Sequence, residues 1–168
     1  MRSLVVLLIA LTFAPAIAAD EVVYTMPGAF SVSRPSAAWK WVTDAKDPEA
    51  VALSNSRTGI EIVFRWVANS KKMNSEDITR TLRLRMMNDL SYEGQAFSSI
   101  RPVSIGGTSG AGFKVERTTG SSVVHRTKYV VASHRTHALV IAVMGGARLS
   151  DKHQAEVDAV LKSVTFTK

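Results

Sequence analysis

The chain has 168 residues, with 21 lysines and arginines against 14 aspartates and glutamates, and a formal net charge of +7. It contains no cysteine, which excludes disulfides, thiolate metal centres, a cysteine nucleophile and a lipid-bearing cysteine, so stability must come from packing. The basic balance points to an anionic neighbour or to a surface rich in lysine and arginine, and carries no information about fold.

In chain order, the first feature is a leader. Met1-Arg2-Ser3 brings one positive charge, Leu4 to Phe13 is almost wholly apolar, and Pro15 to Ala19 ends in small residues with Ala16-Ile17-Ala18 as an A-x-A site. That is the plan of a secretory signal peptide over residues 1–18, cleaved after Ala18 or Ala19. The apolar run is too short to span a bilayer, and no second stretch of about 18 apolar residues follows. The expectation is a periplasmic or secreted protein that is not transmembrane. Loss of residues 1–18 removes Arg2 and leaves 150 residues at net +6. Residues 19–168 are then one domain, long enough to bury a real core.

Val22 to Met26 reads as a short strand ended by Pro27-Gly28, and Phe30-Ser31-Val32 as another that stops at Pro35. Trp39-Lys40-Trp41 puts both indoles on one face of an extended segment. Val51 to Ser54 follows, with Asn55 to Gly59 as its turn. Ile60, Ile62, Phe64 and Trp66 then share one strand face at period two, and Glu61, Val63, Arg65 and Val67 share the other. The mixed second face predicts an antiparallel strand covered fully on one side and partly on the other. Glu61 and Arg65 on that face read as an ion pair.

The period changes over residues 75–93. Asn74 or Ser75 can cap a helix whose first turn holds Glu76 and Asp77. Ile78, Leu82, Met86 and Leu90 recur every four residues as an apolar stripe, and Gly94 is the stop. Leu84 and Met87 fall off the stripe near Arg80. Ile100 to Ile105 predicts a strand running into the glycine-rich Gly106 to Gly112. Ala111, Phe113 and Val115 alternate, Val123 to Ala132 is a long strand, and Ala138 to Met144 is apolar enough to be central. Gly145-Gly146 breaks it, Ser150 caps a short helix with Val157, Val160, Leu161 and Val164 on its apolar side, and Val164 to Phe166 is a last strand. One antiparallel sheet with helices packed on it is the simplest layered solution, an α+β fold.

The order of these pieces resembles the PsbP-like family, whose members share a fold with the Ran-binding Mog proteins. The matching places are Tyr24, Phe30-Ser31-Val32, Pro35, Trp39-Lys40-Trp41, Ile105-Gly106-Gly107 with Gly112-Phe113, Lys128 to Val131, and Val160 to Phe166. The resemblance implies an α/β/α sandwich around a central antiparallel sheet and a non-enzymatic accessory protein. It brings no shared catalytic motif and no cofactor.

The residues themselves offer little chemistry. Gly106 to Gly112 matches no phosphate-binding spacing and is followed by a strand, so a hairpin turn with positive-φ glycines explains it better. Ser109 lies in no nucleophile elbow. His134 and His137 flank a turn without a metal-ligand spacing, and His125 or Asp151 would have to complete a site. Asp44, Asp47 and Glu49 share a loop but lack a calcium-loop pattern. Trp39, Trp41 and Trp66 fit core packing better than a ligand platform. No nucleic-acid motif is present.

The leading expectation is therefore a monomeric exported accessory protein that binds an envelope protein or membrane-associated complex, or an anionic surface. Lys71, Lys72, Arg80, Arg83, Leu84, Arg85 and Met87 form its candidate docking surface. The alternatives are a small-molecule or lipid carrier with an aromatic and methionine-lined pocket, and a hydrolase using Ser109 with a histidine.

Overall fold

The computed structural model describes residues 22–43 and 47–167, so the leader and Asp44 lie outside the described residues. The elements run β1 (Val23–Met26), β2 (Phe30–Ser33), β3 (Lys40–Thr43), β4 (Ala50–Asn55), β5 (Ile60–Ala68), α1 (Ser75–Met87), a 3-10 turn (Leu90–Tyr92), β6 (Ala96–Phe97), β7 (Arg101–Ile105), β8 (Thr108–Thr119), β9 (Ser122–His134), β10 (His137–Gly146), α2 (Ala147–Lys152), α3 (Gln154–Ser163) and β11 (Thr165–Phe166).

Two antiparallel sheets form where the sequence suggested one. The large, eight-stranded sheet has the order β3-β4-β5-β10-β9-β8, with β6 and β7 both on the outer edge of β8. A separate three-stranded sheet has the order β1-β2-β11. The reason is Pro27-Gly28 and the Arg34 to Ala38 connection. The first lets β1 and β2 fold on each other, Gly28 taking a φ of 71°. The second carries the chain away before β3 begins, leaving β2 to pair with the C-terminal β11 instead.

The small sheet and α3 cover the inner face of the large one. Phe30 lies 6.0 Å from Phe64 and Tyr24 lies 5.5 Å from Trp41, ring centre to ring centre. Ile60, Ile62, Phe64, Leu53, Leu139 and Ile141 meet Val157, Val160, Leu161 and Val164 in one continuous core. Trp39 and Trp41 are buried in it, as their shared face predicts. The Trp39 Nε1–H donates to Glu156 at 2.6 Å, and Glu156 also meets the His153 ring at 2.8 Å. Those two bonds hold the Glu156 carboxyl below its usual range.

The β7–β8 turn joins this core to the end of α3. Gly106 and Gly107 both have positive φ, as a tight hairpin turn requires. The Gly106 N–H donates to the Leu161 carbonyl, and a Cβ at Gly106 would sit 1.8 Å from the Val164 carbonyl oxygen. The Ile105-Gly106-Gly107 and Val160 to Phe166 segments are thus two sides of one contact.

The helices differ from expectation at their ends. α1 stops at Met87, and Leu90 is 85% exposed outside it. The buried side of α1 is Thr79 and Met86, with Leu82 half-buried between them. A strict four-residue repeat drifts around a helix of 3.6 residues per turn, so the stripe from Ile78 to Leu90 leaves the sheet before its end. Ser150 lies inside α2, which begins at Ala147 directly after β10. His153 stands at the start of α3.

Candidate functional site

The outer face of the large sheet is where the structure is unfinished. Strand register lines up Val42, Ala52, Val63, Ala142, Tyr129 and Phe113 as one row across five pairings. Val42 is 53% exposed, the next four are half-buried, and Phe113 is 2% exposed. The neighbouring row shows the same gradient: Ala50 half-buried, Arg65 exposed, Val140 half-buried, then Val131 and Ala111 buried. Burial rises toward β8 and β9 because α1 lies only there.

Polar anchors fix α1 in that off-centre place. Asn69 is buried, donates to the Met73 carbonyl and Ser133 Oγ, and accepts from the Met73 N–H, shaping the loop that launches the helix. Asn74 caps α1 by accepting from the Asp77 N–H at 2.9 Å. Ser75 Oγ accepts from the Ser133 N–H of β9 and donates to the Ser109 carbonyl of β8. The Thr79 hydroxyl donates to the Ser75 carbonyl within the helix and at 3.4 Å to the Ala111 carbonyl. At the other end Arg83 Nε donates to the Ser98 carbonyl at 3.0 Å. Beneath the helix Met86, Phe113, Val115, Leu82, Tyr92, Phe97 and Tyr129 make a second apolar cluster. Burial, aided by the Tyr92 hydroxyl, pushes the Tyr129 phenol far above its usual range.

The flank of α1 that faces away from the β8 edge opens onto a groove of about 380 Å³. Ile78, Thr81, Leu82 and Arg85 form its wall, and Arg65, Val67, Ala138 and Val140 its floor. A shallower depression of about 220 Å³ continues past Arg65 over Val63, Ala52 and Val42. Arg65 pairs with Asp47, while the Arg85 guanidinium has no ion pair or hydrogen bond among the described residues. The expected Glu61–Arg65 pair does not form, because four strand residues place them about 13 Å apart.

The seven candidate docking residues therefore divide. Arg85 stands on the groove wall. Arg83 is moored to the sheet edge, and Arg80 is held by Glu76 at 2.8 Å and Asp77 at 3.7 Å. Leu84 and Met87 are half-exposed, away from the groove. Lys71 is exposed in the loop before α1, and Lys72, at a φ of 50°, borders a polar cavity of about 710 Å³. That cavity also holds Asn74, Ser75, Glu76, Arg101, Ser109 and Ser133, with no histidine on its lining. The pairing of Ser109 with a histidine therefore has no histidine in this cavity to form it. His134 stacks on Phe166 at 4.9 Å and His137 on Trp66 at 5.2 Å. No group of three or more metal-donor side chains exists among the described residues. Sequence reasoning missed Val140, Val67 and Ala138 as site residues, although the mixed outer face of β5 already signalled incomplete cover.

The order and layering of these elements can be matched to solved structures. Cyanobacterial PsbP (CyanoP) from Synechocystis sp. PCC 6803 aligns over 90% of this chain and 95% of its own, with a TM-score of 0.64 and 13% identity. The fold is that of the PsbP and Mog proteins. The Ran-binding protein Mog1p of Saccharomyces cerevisiae aligns over 85% of this chain and 93% of its own, at a TM-score of 0.56 and 9% identity. LpqN, involved in cell envelope biogenesis of Mycobacterium tuberculosis, covers 89% of this chain and 94% of its own, at 0.55 and 12%. At such identities the PsbP-like fold is what is shared. No family model and no curated protein sequence matches the chain. In this version of the PsbP-like fold, no helix among the described residues is long and apolar enough to cross a membrane.

Proposed function

We propose that the protein is an exported, non-catalytic accessory factor that binds a protein partner through the outer face of its sheet, beside α1. One observation carries the reading: the burial gradient from Phe113 to Val42 along a single row of paired residues. An apolar strip beside a helix, rimmed by arginines, is the composition of an interaction surface rather than of a solvated sheet face. Ran binding by Mog1p and the involvement of LpqN in cell envelope biogenesis support this direction. The docking surface we favour centres on Arg85, Arg65, Val63 and Val140, while Lys71 and Lys72 belong to the loop before α1, outside the groove lining. Arg83 serves mainly to seat the helix.

The test is affinity capture of the tagged protein from a crosslinked envelope extract at low and high salt. The Val63→Asp/Val140→Asp variant should lose a partner that the parent retains in both conditions, with an unchanged far-ultraviolet circular dichroism spectrum. Retention of that partner by the folded variant would overturn the assignment. Capture of many acidic proteins at low salt alone would show net charge acting by itself.

A further inference from the structure

We infer that the groove beside α1 seats an amphipathic helix of the partner protein, apolar stripe downward and acidic side chains against Arg65 and Arg85. This rests on the docking reading above and adds the chemistry of what docks.

The dimensions fit a helix. Paired strands lie about 4.8 Å apart, so β10, β5, β4 and β3 expose a strip about 14 Å wide. A helix with its side chains is about 10–12 Å across. The helical layer on this face ends with α1, and the strip is the room left for one more helix alongside it.

The surface chemistry agrees. Arg65 sits in a floor of small aliphatic side chains: Val67 and Ala138 lie on one side of it, Val140 is opposite it on β10, and Val63, Ala142 and Ala52 lie on the other side, before Glu61. Alanine and valine give a low, even floor that lets a helix settle close to the sheet. Ile78 and Leu82 on α1 offer an apolar wall for its side chains to interdigitate with. An acyl chain would need enclosure over most of its surface, and this strip is open along its length.

Charge selects the flank. Arg85 on the wall and Arg65 in the floor are the charged side chains on the groove itself, while Asp47 and Glu61 border the shallower depression beyond Arg65. Arg65 has only Asp47 as an ion-pair partner among the described residues, and Arg85 has none. Covering the groove would strip water from both guanidiniums, which favours an occupant that brings carboxylates able to accept their paired N–H groups. A basic helix would instead meet like charge, which costs binding directly.

The experiment is fluorescence anisotropy on the intact protein with labelled peptides of about 18 residues, long enough to hold a helix in water. One carries a leucine and alanine stripe flanked by glutamates, a second has lysines in place of those glutamates, and a third is a scramble of the first. Phosphatidylglycerol vesicles serve as competitor. The glutamate-flanked peptide should bind at least about tenfold tighter than the other two. Arg85→Glu should reverse the preference between the glutamate and lysine peptides, and Val140→Asp should abolish binding while circular dichroism stays unchanged. Equal binding of both flanks, indifference to Arg85→Glu, or displacement of the peptide by vesicles would overturn the proposal. If the Val63→Asp/Val140→Asp variant loses its cellular partner but the acidic peptide shows no preference, the helix inference falls and the docking reading stands. If that variant keeps its partner, the docking reading falls, whatever the peptides do.

Discussion

The two faces of the large sheet are made by the same strands and end in different states. On the inner face Phe64, Ile62, Leu139 and Ile141 are sealed beneath α3 and the small sheet. On the outer face Val63 and Val140, one residue away along the same strands, stay half-buried. The inner face is closed by apolar contact between layers. The outer face is closed only where Ser75, Thr79 and Arg83 moor α1 to β8, β9 and the Ser98 segment. Burial on one side accounts for stability, and the space left on the other is where binding can be placed.

The sharpest way to break that contrast is to truncate neighbours on β5. Phe64→Ala should cost about 3–5 kcal/mol, as large-to-small changes in a closed core do, whereas Val63→Ala should cost less than about 1 kcal/mol. Urea unfolding followed by tryptophan fluorescence measures both. Similar losses at the two positions would mean that the outer face is as closed as the inner one.

A smaller effect tests how the inner face is sealed at its polar rim. Glu156→Ala removes the acceptor of the buried Trp39 N–H, and should cost about 1–3 kcal/mol at neutral pH. The carboxyl is held below its usual range by Trp39 and His153. Its contribution is therefore complete above the unfolded carboxylate pKa and lost as pH falls through the folded one. Glu156→Gln keeps an acceptor for Trp39 but cannot titrate. Its deficit against the parent should shrink steadily on acidification below about pH 4.5. A deficit that stays constant or widens as the pH falls contradicts the assignment.

The smallest effect separates two arginines two residues apart. Arg83→Ala should destabilise by about 0.5–1.5 kcal/mol through loss of the bond to Ser98, while Arg85→Ala should stay within about 0.5 kcal/mol. Thermal unfolding of the pair resolves this, and a larger loss at Arg85 would reverse their roles.

Much of this was readable from the chain. Period-two alternation from Ile60 to Trp66 identified β5 and its partly covered side, the Asn74-Ser75 pair identified the start of α1 without choosing its cap, and Gly106-Gly107 identified a hairpin turn. The rest depended on contacts that sequence pattern does not encode. Short apolar strands look alike whether they join the main sheet or fold over it, so the β1-β2-β11 sheet was hidden. So was β6, which has only two residues. The lateral position of α1 rests on hydroxyl bonds spanning 32 to 58 residues of sequence, and serine and threonine carry no period. Arg83 and Arg85 read alike as helix charges until the structure shows one tied to the sheet edge and the other on the groove wall.

The most direct measurement is photo-crosslinking in living cells, with a benzophenone amino acid at Val140 in the groove and, separately, at half-exposed Leu84 on the far side of α1. Adducts with one discrete protein from Val140, and none with that protein from Leu84, are the predicted result. The same adduct from Leu84 with none from Val140 would contradict it, placing the binding surface on the back of the helix rather than on the bare half of the sheet.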